Sequence, residues 1–201
     1  MDLVISATHG RSGLKRLLLG SVTERLMRTL SCPLMIVHGK ESGDLALSTE
    51  VFKLKRILVG YDFSKDSDLA LKYALSMAQE FEAELHLAHV VEPPVYQDIQ
   101  VANGSSAPVT EQSRMPQLIE KLKQMIPEDA RNWCTVAPVL LEGKADKELA
   151  RYADQNDIDL IALGVRGHGL VETLFVGSTT DRVARRASCP VLSVPVEVKK
   201  G

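Results

Sequence analysis

Short runs of apolar, often β-branched residues recur along the chain, separated by segments whose apolar positions return every three or four residues. Ile57-Leu58-Val59, Leu85 to Val91, Val136 to Leu141, Ile158 to Leu163 and Val191 to Val194 form five such runs. Several lack a clean alternation of apolar and polar residues, the pattern of strands covered on both faces. Between the first two runs, Ala70, Ala74, Met77, Ala78 and Phe81 recur at helical spacing behind Ser64, a good N-cap. The pattern predicts a second helix over residues 116–125 with Pro116 in its first turn, a third from about Ala145 to Gln155 and a fourth starting at Ser178. Strands and helices alternating in this way predict a doubly wound α/β domain with a parallel sheet and right-handed crossovers. Residues 93–114, rich in Pro, Gly, Ser and Asn, read as a long surface loop.

An internal repeat divides the chain. Asp2-Leu3, Gly10, Leu17, Gly20-Ser21, Thr23, Arg25, Arg28 and Ser31-Cys32-Pro33 recur, 157 positions later and without a gap, as Asp159-Leu160, Gly167, Leu174, Gly177-Ser178, Thr180, Arg182, Arg185 and Ser188-Cys189-Pro190. The second copy closes a full run of strands and helices, whereas the first begins at Met1. The chain therefore reads as the last part of one domain over 1–38, a polar, Gly-containing linker over 39–53 and a complete domain over 54–197. A lone strand-helix-strand segment cannot bury its apolar surface, so it must pack on something. The expectation is that Leu34-Met35-Ile36-Val37 pairs with Val191-Leu192-Ser193-Val194, within the chain or in a homodimer.

Composition narrows the function classes. With 201 residues, 45% hydrophobic and 25% charged, the chain has the make-up of an ordinary globular protein. Its 24 Lys and Arg against 26 Asp and Glu give a formal net charge of −2, so no overall basic field is available to hold a nucleic-acid backbone. No apolar run reaches the ~18 residues a membrane span needs, and Met1-Asp2-Leu3-Val4 lacks a basic signal region, so a cytoplasmic protein is expected. Cys32, Cys134 and Cys189 are too scattered for a disulfide framework and form no Cys-x-x-Cys pair; buried, reduced thiols are expected.

The segment with chemical potential is Gly164-Val165-Arg166-Gly167, followed after nine residues by Gly177-Ser178. Glycines allow close backbone approach, so successive N–H groups can converge on an anion, and the helix opening at Ser178 favours negative charge. Its place after a parallel strand is where open α/β sheets bind ligands. A purely structural turn explains the same residues: Ser178-Thr179-Thr180-Asp181 resembles a capping box, and Ser21-Val22-Thr23-Glu24 matches one fully. Spacing alone leaves both readings open.

Gly164-x-x-Gly167-x9-Gly177-Ser178, with Tyr61-Asp62-Phe63-Ser64 after the first strand and His89-Val90 at the end of the second, resembles the universal stress protein family. The resemblance covers residues 54–197 as a whole domain and 2–38 as the last third of another. It implies a five-stranded, Rossmann-like parallel sheet with helices on both faces, akin to the adenine nucleotide alpha hydrolases, and a subclass that binds ATP, ADP or AMP, with Mg2+. By that likeness Asp62 sits beside the adenosine, the backbone around Val90 bounds the adenine, and Gly164, Gly167, Gly177 and Ser178 hold ribose and phosphates. The first copy departs from the pattern, with Ala7 at the first loop glycine.

Arg166 and His168 flank Gly167 and read as solvated loop residues, with a phosphate contact as the alternative; His86 and His89 read as core or strand-end side chains. The phosphate-binding Gly-x4-Gly-Lys-[Ser/Thr] motif and a kinase catalytic-loop signature are absent from the sequence. The favoured function is a nucleotide-binding stress-response module. The alternatives are a slow ATPase or self-phosphorylating protein, and a dimerisation module with no ligand.

Overall fold

The computed structural model describes residues 3–7, 19–38, 53–92, 111–166 and 176–195, without the side chains of 111–114. Along the chain these form β1 (Val4–Ala7), α1 (Ser21–Thr29), β2 (Leu34–Val37), β3 (Arg56–Gly60), α2 (Lys65–Phe81), β4 (Glu84–Val91), α3 (Glu111–Gln124), β5 (Val136–Glu142), α4 (Ala145–Gln155), β6 (Leu160–Gly164), α5 (Ser178–Arg186) and β7 (Val191–Val194). One sheet joins all the strands in the order β1-β2-β7-β6-β3-β4-β5. From β7 to β5 every neighbour is parallel, which gives the five-stranded sheet read from the sequence.

The strands are apolar on both faces because helices cover both. Ile57, Val59, Leu85 and Leu87 point into one core beneath Ala70, Leu71, Ala74, Leu75 and Ala78 of α2 and Leu122 of α3. Leu58, Ala88, Ile161 and Leu163 point the other way, beneath Leu149 and Ala153 of α4 and Val183 and Ala184 of α5. The alanines of α2 let its backbone lie close to the sheet. Ser64 starts that helix by accepting the Ser67 N–H at 3.2 Å, while the Ser67 hydroxyl oxygen accepts the Ser64 N–H at 3.1 Å.

The repeat is reproduced bond for bond. Val4 pairs with Leu34 as Ile161 pairs with Val191, the same register displaced by 157 residues. The Val4 N–H donates to the Pro33 carbonyl at 2.9 Å and the Ile161 N–H to the Pro190 carbonyl at 3.0 Å. The Thr23 hydroxyl donates to the Ala7 carbonyl at 2.9 Å, and the Thr180 hydroxyl to the Gly164 carbonyl at 2.6 Å. Strands β2 and β7 then meet antiparallel, with Leu34 opposite Ser193, Met35 opposite Leu192 and Ile36 opposite Val191. Met35 and Leu192 are themselves repeat equivalents, so a local twofold passes between them, the geometry of an isologous interface built into one chain. The expected pairing of the last strands is therefore intramolecular, and it covers the edge of β7. His38 Nε2 lies 2.9 Å from the Ala184 carbonyl and Arg185 lies 3.8 Å from Glu24, adding two contacts across the twofold.

The copies differ on one face. Leu160 and Ala162 are fully buried under the α2 side of the sheet, but their equivalents Leu3 and Ile5 are 40% and 65% exposed. No described helix covers β1 on that side.

Three expectations need correction. Helix α3 begins at Glu111 rather than at 116, so Pro116 lies inside it and its missing N–H removes an intrahelical bond. The loop read over 93–114 accordingly loses its last four residues to the helix; 93–110, like 39–52, lie outside the described residues. The capping boxes read at Ser21 and Ser178 do not form. Gly20 and Gly177 are the N-caps and have no side chain to offer, so Ser21 and Ser178 are already the first helical residues; the threonines at the third helical position turn back to the preceding strand.

His86 is a core side chain, as the sequence reading had it. It is 8% exposed, with Nδ1 at 2.8 Å from the Tyr152 hydroxyl and Nε2 at 3.5 Å from Glu84. Burial holds its pKa below the ordinary 6.5, against the pull of Glu84. The unfolded chain therefore takes up the proton first as pH falls, so this stabilisation is fully present above about 6.5 and is lost as pH drops through the folded value. Urea denaturation of the wild type and of His86→Gln at a series of pH values from 8 to 5 (about 6.5 being the unfolded midpoint) should show a shallower acid loss in the variant. Identical slopes would remove His86 from the acid response.

Candidate functional site

At the carboxyl end of the sheet, β3 has β4 on one side and β6 on the other. The chain reverses direction of winding there, and the helices that follow these strands splay apart. A cavity of about 520 Å³ opens at this point, within the range of small-ligand sites. Gly60, Tyr61 and Asp62 from the end of β3, Ala88, His89 and Val90 from β4, and Leu163 and Gly164 from β6 form its floor. Ser67 of α2, Ala145 and Leu149 of α4, and Ser178, Thr179 and Thr180 of α5 form its walls.

Helices α4 and α5 begin at this cavity, each presenting the N-terminal end where N–H groups are not consumed within the helix, while α2 borders it through Ser67, whose N–H is already taken by Ser64. At α4 the Glu92 carboxylate, on the cavity rim, takes one of these donors, with the Ala145 N–H at 3.3 Å. At α5 the start is held from behind: the Gly177 N–H donates to the Val165 carbonyl at 2.7 Å and the Thr180 hydroxyl to the Gly164 carbonyl. The two ends of the segment between β6 and α5 are thereby pinned together beside the cavity.

Asp62, Val90, Gly164, Gly177 and Ser178 all line this cavity; Gly167 and His168 lie outside the described residues. Asp62 accepts the Ser64 N–H at 3.1 Å, which folds the chain tightly from β3 into α2. The residue between them, Phe63, has φ of 62°, a left-handed conformation costly for an aromatic residue. Its ring is held edge-on to Tyr61 at 5.1 Å, tilted against His89 at 4.9 Å, and capped by the Lys121 ammonium at 4.0 Å. His89 Nδ1 lies 2.7 Å from the Tyr61 carbonyl, and since a carbonyl only accepts, that nitrogen carries the proton. The Tyr61 hydroxyl donates to Asp68, and burial pushes its pKa upward.

Two side chains have a larger part in this geometry than sequence reasoning gave them. Arg166 is not a solvated loop residue: its side chain is only 14% exposed, and its backbone N–H and Nε reach Asp66 Oδ2 at 3.1 and 3.3 Å. Asp66 itself, 11% exposed at the side chain, was not singled out. It sits in the first turn of α2, and only a carboxylate one position from a helix start, in a sequence with an Arg after the strand glycine, hinted at the pair.

The glycine at 164 also has a different cause from the one its motif implies. A Cβ there would lie 2.6 Å from the Asp66 carbonyl carbon and 2.9 Å from the Ser67 nitrogen, so the backbone of α2 occupies the space. At the repeat-equivalent position, where no described helix covers the strand, the residue is Ala7 and it is exposed. A side chain is tolerated in the copy that lacks the helix.

A sequence profile of the universal stress protein family matches residues 1–38 and 53–195. The chain belongs to that family. The universal stress protein MJ0531 of Methanocaldococcus jannaschii is 32% identical over 143 residues, covering 70% of this chain and 81% of its own. Universal stress protein Slr1230 of Synechocystis is 27% identical over 177 residues, 87% of this chain but 51% of its own length. A universal stress protein from Archaeoglobus fulgidus shares the fold at a TM-score of 0.65 and 26% identity, with 98% of this chain matching 63% of that one. The chain thus spans half to two thirds of the longer relatives it matches, and most of the shorter one.

In this universal stress protein the contact between β6 and α2 yields a stability prediction. Gly164→Ala should lower unfolding free energy by about 2 kcal/mol or more, because backbone cannot yield as a flexible side chain can. Ala7→Gly at the equivalent site should stay within about 1 kcal/mol. Equal losses in urea denaturation would mean that α2 does not make the close approach described.

Proposed function

We propose that this universal stress protein is an adenine-nucleotide-binding regulatory module, taking ATP, ADP or AMP in the cavity at the end of β3, β4 and β6. The observation that carries the reading is the concave site at the switch point of the sheet, where the N-termini of α4 and α5 meet. In this reading Asp62 sits beside the adenosine and the Val90 backbone bounds the adenine. Gly164, Gly167, Gly177 and Ser178 form the ribose and phosphate side. Among the described residues no group of three or more His, Cys, Asp or Glu could hold a metal. In this reading Mg2+ accompanies the phosphates of the nucleotide.

A regulatory role requires only that occupied and empty states differ in the surface they offer to partners. No helix among the described residues is long and apolar enough to cross a membrane.

Calorimetric titration of nucleotide-stripped protein with Mg-ATP should give saturable binding near one site per chain. Absence of heat and of saturation at millimolar nucleotide, repeated with a second binding probe, would overturn the reading. Asp62→Ala should weaken adenosine binding by about tenfold or more, as for loss of a charged hydrogen-bond partner, while inorganic tripolyphosphate binding changes less. Equal losses for both ligands would remove Asp62 from nucleoside recognition.

A further inference from the structure

We infer that Gly60 sets how deep a base can enter the cavity, by giving the ends of the Leu149 and Leu163 side chains a place to lie against β3. The inference rests on the nucleotide reading above and names the residue that sizes the apolar end of the same site.

Gly60 is the last residue of β3, paired with Ala88 of β4 on one side and Leu163 of β6 on the other. All three line the cavity. Leu58, Ala88 and Leu163 belong to the core on the α4 side of the sheet, and Gly60, two residues after Leu58, faces the same way. A glycine paired on both sides within a sheet forgoes side-chain packing and costs more chain entropy than other residues, so its presence has a cause. Backbone conformation is not that cause, since among the described glycines the one with positive φ is Gly143. Close backbone is not the cause either. A Cβ at Gly60 would overlap Leu163 Cδ2 and lie 3.0 Å from Leu149 Cδ1, the ends of two flexible side chains, whereas a Cβ at Gly164 meets the backbone of α2. A side chain at Gly60 would therefore turn two leucines aside rather than break the sheet.

Leu149 and Leu163 are 3% and 4% exposed and are packed among Leu58, Ala153, Ile161 and Val183. A close-packed interior has no room for displaced methyl groups, so the open direction is the cavity that both leucines line. The missing Cβ keeps their ends out of it. Val90, which bounds the adenine in the nucleotide reading, follows Ala88 by two residues on β4 and packs on the same core. A flat base held beside Val90 thus has the seat of the two leucines at its inner edge, while the phosphates of that reading lie toward the start of α5. Filling the seat should exclude the base and spare the phosphate contacts.

The test titrates the full chain and its variants with AMP and with inorganic tripolyphosphate, and follows urea unfolding in parallel. Gly60→Ala should keep the urea midpoint near that of the wild type and lose about tenfold or more in AMP affinity, the effect of one methyl-sized group in an apolar pocket, with tripolyphosphate binding unchanged. Adding Leu163→Val shortens the side chain that the new Cβ overlaps and should recover most of the AMP affinity. Leu149→Phe fills the same end from α4 without altering β3 and should reproduce the selective loss of AMP, which covers the case in which Gly60→Ala does not fold.

Unchanged AMP affinity in folded Gly60→Ala or in Leu149→Phe, an equal fall for tripolyphosphate, or no recovery in the double variant overturns the role of Gly60 while leaving nucleotide binding intact. Failure of the wild type to bind AMP or Mg-ATP overturns the nucleotide reading itself and this inference with it.

Discussion

The end of β6 lies against the first turn of α2 with no side chain between them, and most of the site depends on that contact. Gly164 meets the Asp66 and Ser67 backbone at a distance no Cβ permits. This fixes where α2 starts, and with it the tight passage from Asp62 through the strained Phe63 to the capped Ser64. It also brings the Asp66 carboxylate under the backbone that leaves β6, where it holds the Arg166 N–H. On the other side the Gly164 carbonyl receives the Thr180 hydroxyl and so anchors α5. One strand end therefore places two walls of the cavity, α2 and α5, through short backbone-centred contacts. Walls held this way are positioned by the fold itself.

The duplication separates what the sheet needs from what the cavity needs. The threonine-to-strand bond, the strand register and the bond from the residue before β2 or β7 occur in both copies, so they belong to the strand-helix-strand module itself. Asp62, α2 and the close glycine occur in the second copy, where the cavity forms. The exchange of glycine for Ala7 follows from this difference. The first copy has no described helix for a Cβ to meet, and its face toward that side carries Ile5 in the open. What the first copy contributes is closure. Its β2 covers the edge of β7 by an antiparallel pairing that is symmetric about Met35 and Leu192, removing a row of unpaired backbone groups.

Most of the architecture was legible in the sequence because it rests on local pattern. The five apolar runs became the parallel strands, α4 spans the predicted residues, and the repeat predicted the joining of Leu34–Val37 to Val191–Val194. The errors lie where tertiary contacts override local signals. Ser21 and Ser178 look like caps, but Thr23 and Thr180 spend their hydroxyls on a neighbouring strand, and glycines take the cap positions. Pro116 looks like a helix start, yet it lies inside α3 and costs that helix a bond. In the site, a glycine motif cannot state which neighbour forbids the side chain. A carboxylate 100 residues before its arginine leaves no periodic trace, so the Asp66–Arg166 pair was invisible until the fold joined its ends.

Helix α5 unites the cavity with the pseudo-symmetric half of the molecule. Its first turn lines the cavity, while near its other end the Ala184 carbonyl meets His38 and Arg185 approaches Glu24, both from the first copy. Both duties fall within a helix of nine residues, about 13 Å long. Arg185 is further tied to Asp181 at 2.9 Å, one turn earlier, so the charged face of the helix is itself cross-braced. A short braced helix packed over a sheet moves as a unit rather than bending. The strand-helix-strand fragment is therefore joined to the cavity through packed structure, although it contributes no described residue to the lining. The same repeat that closes the sheet edge also supports the far end of the helix whose first turn lines the cavity.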